Sequence, residues 1–121
     1  MSEKKSSIVI AEGDAVLGSF LRDILVRGGY SAVCVRTPEA ALAILGKEEV
    51  SLLIADSFGL SGEGLELCRN VRTRGLNVPL IFLAAVQDEE LEETLAGLGA
   101  KIVPKPFWIE EFMDVVKELM E

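Results

Sequence analysis

Leu52-Leu53-Ile54-Ala55-Asp56 is a run of four apolar residues closed by an acid. A short, continuously apolar run of this kind is the pattern of a strand buried on both faces. Four more runs recur along the chain: Ile8 to Ala11, Ala32 to Val35, Leu80 to Ala84 and a short Lys101 to Val103. Stretches of helical period separate them. Leu17, Phe20, Leu21, Ile24 and Leu25 share one face of the first, and Gly28-Gly29 is its stop signal. Thr37-Pro38-Glu39 opens the second as N-cap and first-turn residues. Leu65, Cys68 and Val71 mark the third, which runs to Gly75, and Leu91, Leu95 and Leu98 mark a weaker fourth. Ile109, Phe112, Met113, Val116 and Met120 form the stripe of the fifth, entered through Pro104-Lys105-Pro106. Strands alternating with helices predict an α/β fold of repeated βα units around a parallel sheet.

Half of the 121 residues are hydrophobic, enough for one domain, residues 1–121, with a core of its own. Apolar runs such as Val78 to Val86 fall far short of the roughly 20 residues a membrane span needs. The polar start Met1-Ser2-Glu3-Lys4-Lys5 is not followed by a signal-peptide core. Cys34 and Cys68 lie in apolar surroundings without metal-like spacing, so they read as small buried thiols in a reducing, cytoplasmic setting. A formal charge of -8 repels phosphate backbones and anionic lipid, which excludes direct nucleic-acid or membrane binding and favours protein partners. The chain has no histidine. Histidine-activated nucleophiles, histidine metal ligands and a phosphohistidine of its own are therefore excluded.

In an open parallel sheet, ligands bind beyond the carboxyl ends of the strands, where the strand order reverses. The residues expected there are Glu12-Gly13-Asp14, Asp56-Ser57-Phe58, Ala84-Ala85 and Pro104-Lys105-Pro106. Carboxylates after two strands and a lysine after a third can hold a hard cation and accept a phosphoryl group. Mg2+ prefers oxygen ligands, commonly one or two carboxylates together with phosphate oxygens. Asp56 is then the nucleophile, and Lys105 neutralises charge on the incoming phosphoryl group.

Ile8-Val9-Ile10-Ala11-Glu12-Gly13-Asp14, Leu52 to Asp56, Glu63-Gly64-Leu65-Glu66-Leu67-Cys68, Val78 to Leu83, Gly99-Ala100 and Lys105-Pro106-Phe107 occur in that order. Together they resemble the response-regulator receiver family, from Ile8 to Leu119. The resemblance implies a flavodoxin-like (βα)5 doubly wound parallel sheet of strand order 2-1-3-4-5. It implies phosphorylation of Asp56 by a histidine kinase or phosphotransfer protein, with Mg2+ held by Glu12, Asp56 and the Phe58 backbone carbonyl. It further implies a downstream protein target and a signalling role rather than enzymatic turnover.

Four positions depart from the family pattern. Gly13 stands where the family has its second corner acid, the direct metal ligand, which weakens the expected Mg2+ site. Ala84 replaces a Thr or Ser whose hydroxyl bonds a phosphoryl oxygen. Ile102 replaces the aromatic that swings inward on activation. Leu60 replaces a proline, leaving the φ-permissive run from Gly59 to Gly64. The alternative is thus a degenerate pseudo-receiver, a phosphorylation-independent interaction module. A flavin or nucleotide binder is disfavoured, because Glu12 and Asp14 would repel a phosphate. Trp108 is expected at the surface as a partner anchor. The acids from Asp88 to Glu93 are expected to form a solvated helix start.

Overall fold

Each apolar run forms a strand and each amphipathic stretch a helix. The computed structural model describes residues 7–59 and 61–121. The readings made on Met1 to Lys5 and on Leu60 lie outside the described residues. In chain order the elements are β1 (Ser7–Ala11), α1 (Ala15–Arg27), β2 (Ser31–Val35), α2 (Pro38–Leu45) and β3 (Leu52–Asp56). They continue with α3 (Glu63–Thr73), β4 (Leu80–Ala84), α4 (Glu89–Gly97), β5 (Ala100–Pro104) and α5 (Ile109–Met120). All strands pair in parallel in the order β2-β1-β3-β4-β5, the flavodoxin-like order expected.

Alternation along the strands sends successive side chains to opposite faces and so builds two cores. Ile8, Ile10, Leu52, Ile54, Ile81 and Leu83 pack with Leu21 and Leu25 of α1 and Phe112 and Val116 of α5. Val9, Leu53, Ala55 and Phe82 pack with Ala41 and Leu45 of α2, Leu67 and Val71 of α3 and Leu95 of α4. The central strands β3 and β4 are buried at every residue, which explains their unbroken apolar runs. The edge strands β2 and β5 are partly exposed.

Local chemistry sets the helix ends. Asp14 caps α1, its Oδ1 accepting from the Val16 and Leu17 N–H groups at 2.9 and 3.4 Å. Thr37 Oγ1 caps α2 through the Ala40 N–H at 3.1 Å, with Pro38 in the first turn. Asp88 caps α4, and Glu89, Glu90 and Glu92 occupy its positive first turn as exposed residues. Gly29 follows α1 at φ +97°, a conformation that favours glycine.

Three expectations need correction. Phe20 is 47% exposed and Ile109 is 42% exposed, because each falls on the flank of its helix rather than on the buried stripe. Cys34 is only half-buried, since β2 is an edge strand, whereas Cys68 is buried; both thiols are free. Arg72 has a role that no sequence pattern suggested. Its guanidinium donates to the carbonyls of Leu98, Leu76 and Val78 at 2.8 to 2.9 Å, tying the end of α3 to the loops that flank β4 and α4.

Candidate functional site

The topology brings the carboxyl ends of β1, β3 and β5 to one edge of the sheet. Glu12 follows β1, Asp56 ends β3 and Lys105 follows β5. Lys105 Nζ lies 2.6 Å from Asp56 Oδ1 and 3.7 Å from Glu12 Oε1. Both carboxylates are buried, at 2% and 5% exposure. The Phe58 N–H donates to Asp56 Oδ2 at 2.9 Å, so each Asp56 oxygen has a partner. The Asp14 N–H donates to Glu12 Oε2 at 3.2 Å, while Glu12 Oε1 accepts no hydrogen bond among the described residues. Backbone bonds fix the two outer residues: Glu12 N–H to Val35 O, and Lys105 N–H to Ala84 O, both at 2.9 Å.

Two acids against one ammonium leave the cluster a charge short of neutrality if both acids ionise. Burial pushes the Glu12 carboxyl above the usual carboxylate range. The Asp56 charge adds to this rise, whereas the Asp14 N–H and Lys105 oppose it. An open cleft of about 550 Å3 lies over the cluster, with Gly13, Phe58 and Ser61 also on its walls. It can admit a phosphoryl group to Asp56.

Gly13 contributes no side chain to the cleft. The Phe58 ring stands 3.4 Å from where a Cβ at this position would sit. Asp14, the next acid, also borders the cleft, but its side chain is engaged as the cap of α1. Ala84 presents no hydroxyl, and Ile102 is half-buried beside Phe82 in the β4–β5 register.

Two contributors escaped the sequence reading. Arg36, just past β2, donates from Nε to the Gly13 carbonyl at 3.1 Å and braces the acidic corner. Ser61 Oγ donates to the Phe58 carbonyl at 2.9 Å and accepts from the Glu63 N–H at 3.2 Å, bridging the loop to α3. A serine two residues before a helix start is a usable signal for such a turn. Gly64 packs so tightly on β3 that a Cβ there would collide with the Asp56 carbonyl oxygen and approach Ser57 Cα to 2.8 Å. Its place in the Glu63-Gly64 motif is thereby explained. Phe58, at φ +58°, and Gly59, at φ +67°, carry the sharp reversal that hangs the loop over Asp56.

The family model of the response regulator receiver domain matches residues 8–117. The chain belongs to this family. A curated relative, the response regulator protein FleR of Pseudomonas aeruginosa, is 32% identical over 113 residues, which are 92% of this chain and 24% of FleR. The response regulator MprA of Mycobacterium leprae is 29% identical over 116 residues, 93% of this chain and 50% of MprA. This receiver domain thus spans half or less of the length of these relatives. Among solved structures, the receiver domain of the Francisella response regulator 1452 matches with a TM-score of 0.88 at 20% identity, covering 96% of this chain and 97% of that one. The signal receiver domain of a histidine kinase from Syntrophus aciditrophicus matches with a TM-score of 0.83 at 26% identity, covering 95% and 89%.

Receiver domains typically bind Mg2+, and the residues here fit that ion with a reduced donor set. Glu12 Oε1 is a buried carboxylate oxygen without a hydrogen bond among the described residues, the kind of atom a cation satisfies. Asp56 and the Phe58 carbonyl supply two more oxygens, although the Phe58 carbonyl also accepts from Ser61. Among the described residues no group of three or more His, Cys, Asp or Glu side chains is placed to hold a metal. Mg2+ ordinarily keeps several waters and needs only one or two carboxylates.

Proposed function

We propose that this receiver domain accepts a phosphoryl group on Asp56 in a two-component phosphorelay. The observation that carries the reading is the 2.6 Å contact between Lys105 Nζ and Asp56 Oδ1 at the floor of an open cleft. Each oxygen of this buried carboxylate accepts one hydrogen bond, from Lys105 or from the Phe58 N–H, and keeps a lone pair with which it can attack an incoming phosphorus. Residues 1–121 hold no histidine, so the donor histidine lies outside them, on a histidine kinase or phosphotransfer protein. An Asp56 oxygen attacks phosphorus, the O–P bond forms as the donor N–P bond breaks, and the electron pair leaves with the donor nitrogen. Lys105 then stays with the negative charge, on the phosphoryl oxygens instead of the free carboxylate. Glu12, Asp56 and the Phe58 carbonyl are the groups that would hold Mg2+, whose charge offsets that of the phosphoryl oxygens.

The surface beside the cleft supports a protein donor. Leu17, Pro106 and Phe107 line an apolar depression of about 480 Å3 that reaches Lys105. Val16, at 79% exposure, and Trp108, at 72%, flank those residues in the chain, and the exposed Trp108 ring is available as a partner anchor. A downstream protein target completes the reading, with residues 1–121 acting as a single cytoplasmic receiver domain and no direct contact with nucleic acid or membrane. Among the described residues no helix is long and apolar enough to cross a membrane.

A second reading, a phosphorylation-independent interaction module, is favoured by Gly13, Ala84 and Ile102. Phosphoramidate, a small donor with an N–P bond, separates the two readings when labelled with radioactive phosphorus. Label that hydroxylamine releases, and that Asp56→Ala does not acquire, is the outcome expected of an acyl phosphate. Label that survives hydroxylamine, or none at all, favours the interaction module.

A further inference from the structure

The two edges of the sheet differ in how they are protected. β5 carries Lys101, exposed and ion-paired to Glu118 at 3.5 Å, and Pro104, which has no N–H to offer. Lysine and proline are common means of blunting an edge strand. β2 has neither. Its residues, Ser31-Ala32-Val33-Cys34-Val35, include no charge and no proline, and Val33 is 42% exposed. Among the described residues β2 pairs with β1 alone.

The Glu12 N–H donates to the Val35 carbonyl, so the backbone groups of Val35 face β1. Alternation turns those of Ser31 and Val33 the same way and those of Ala32 and Cys34 outward, along the free edge. Charge then bears on which occupant fits. The net charge of -8 opposes self-association through an acidic face. Around β2 the balance is reversed: from Ala15 to Lys47 the cations Arg22, Arg27, Arg36 and Lys47 outnumber the acids Asp23 and Glu39. The acids gather instead beside the other edge, among them Glu89, Glu90 and Glu92 of α4 and Glu110 and Glu111 of α5. Repulsion between two copies is therefore weakest when their β2 edges meet and their acidic sides point apart.

We propose that β2 is the docking edge for a second copy of this chain, joined antiparallel about a two-fold axis that passes through Val33 perpendicular to the sheet. Such an axis makes the edge self-complementary. Ala32 of each copy exchanges backbone bonds with Cys34 of the other, and the two Val33 side chains form the non-hydrogen-bonded pair between them. One continuous sheet results. The carboxyl ends of its strands point in opposite directions in the two halves, which leaves both Asp56 clefts open to a donor. A few backbone bonds and one valine pair make a small interface, so the dimer is weak and its population depends on concentration.

The test is sedimentation velocity over a range of concentrations reaching about 1 mM. It needs no phosphodonor, so its outcome is independent of the chemistry of Asp56. A dimer that grows with concentration is expected, with amide exchange at Ala32 and Cys34 slowing in parallel. Val33→Lys sets like charges opposite each other and should weaken the dimer about tenfold. Val33→Cys reads the register directly. The Cα atoms of a non-hydrogen-bonded pair lie about 4.5 Å apart, within disulfide reach, so mild oxidation should cross-link this variant and not the parent. The proposal is overturned if the chain stays monomeric throughout, if Val33→Lys dimerises as well as the parent, or if Val33→Cys cross-links no more than the parent.

Discussion

Lys105 Nζ stands 2.6 Å from Asp56 Oδ1, a contact between residues 49 positions apart that joins the end of β3 to the turn after β5. The ammonium contacts a single oxygen of the Asp56 carboxylate, as a compact charge with rotatable donors does, rather than clasping it as a guanidinium fork would.

Lys105→Ala is expected to slow the appearance of an Asp56 phosphoryl adduct by at least tenfold. Lys105→Arg is expected to restore little of the rate, because the planar fork does not reproduce a one-point contact. Time courses of adduct formation under one phosphodonor concentration check both; an Arg variant as fast as the parent would show that charge alone suffices.

Restoring the missing family groups should strengthen the site. Gly13→Asp adds a carboxylate where only the Phe58 ring is close, at 3.4 Å from the new Cβ. Mg2+ affinity, read by titration of intrinsic fluorescence or by calorimetry, should rise at least tenfold. Ala84→Thr supplies a hydroxyl for a phosphoryl oxygen. A hydrogen bond to a charged group contributes roughly 1.5–3 kcal/mol, so the phosphorylated state should be about tenfold to a hundredfold more favourable.

Gly64→Ala should destabilise the fold by about 2–3 kcal/mol, because the added methyl meets β3 backbone rather than a movable side chain. The urea midpoint measures this, and Gly97→Ala is a suitable control. A Cβ at Gly97 meets nothing within 4 Å, so that midpoint should not fall.

Stability should decline in alkali through Cys68. Burial pushes this thiol from its ordinary 9.0 up to about 12, with Arg72 opposing the shift. The folded-state value is the raised one, so the contribution is intact below pH 9. It is lost as pH rises from 9 towards 12, while the unfolded chain ionises and the folded one does not. The slope is roughly 1.4 kcal/mol per pH unit in that window. Unfolding free energies at pH 8 and pH 10 should therefore differ more in the parent than in Cys68→Ala. Equal pH dependence in the two proteins would contradict the assignment.

The sheet was legible because its central strands are buried on both faces and leave unbroken apolar runs such as Leu52 to Ala55. The site was legible where a charged side chain sits directly past a strand, as Glu12, Asp56 and Lys105 do. Side-chain direction was harder to read. Asp14 borders the cleft and by position alone could have stood in for the missing acid, yet the N–H groups of Val16 and Leu17 claim its Oδ1 as a helix cap. Phe20 and Ile109 share the apolar character of their helices, but a helical stripe is narrower than its apolar composition suggests. The contributions of Arg36, Arg72 and Ser61 depend on which backbone carbonyls come within reach after folding, and no local pattern encodes that.

The most direct test of the account is intact mass spectrometry after incubation with acetyl phosphate and Mg2+, on the parent chain and on Asp56→Ala. One phosphoryl adduct on the parent and none on the variant is the predicted result. No adduct on the parent, or an adduct that persists in Asp56→Ala, would contradict the assignment of Asp56 as the phosphoacceptor.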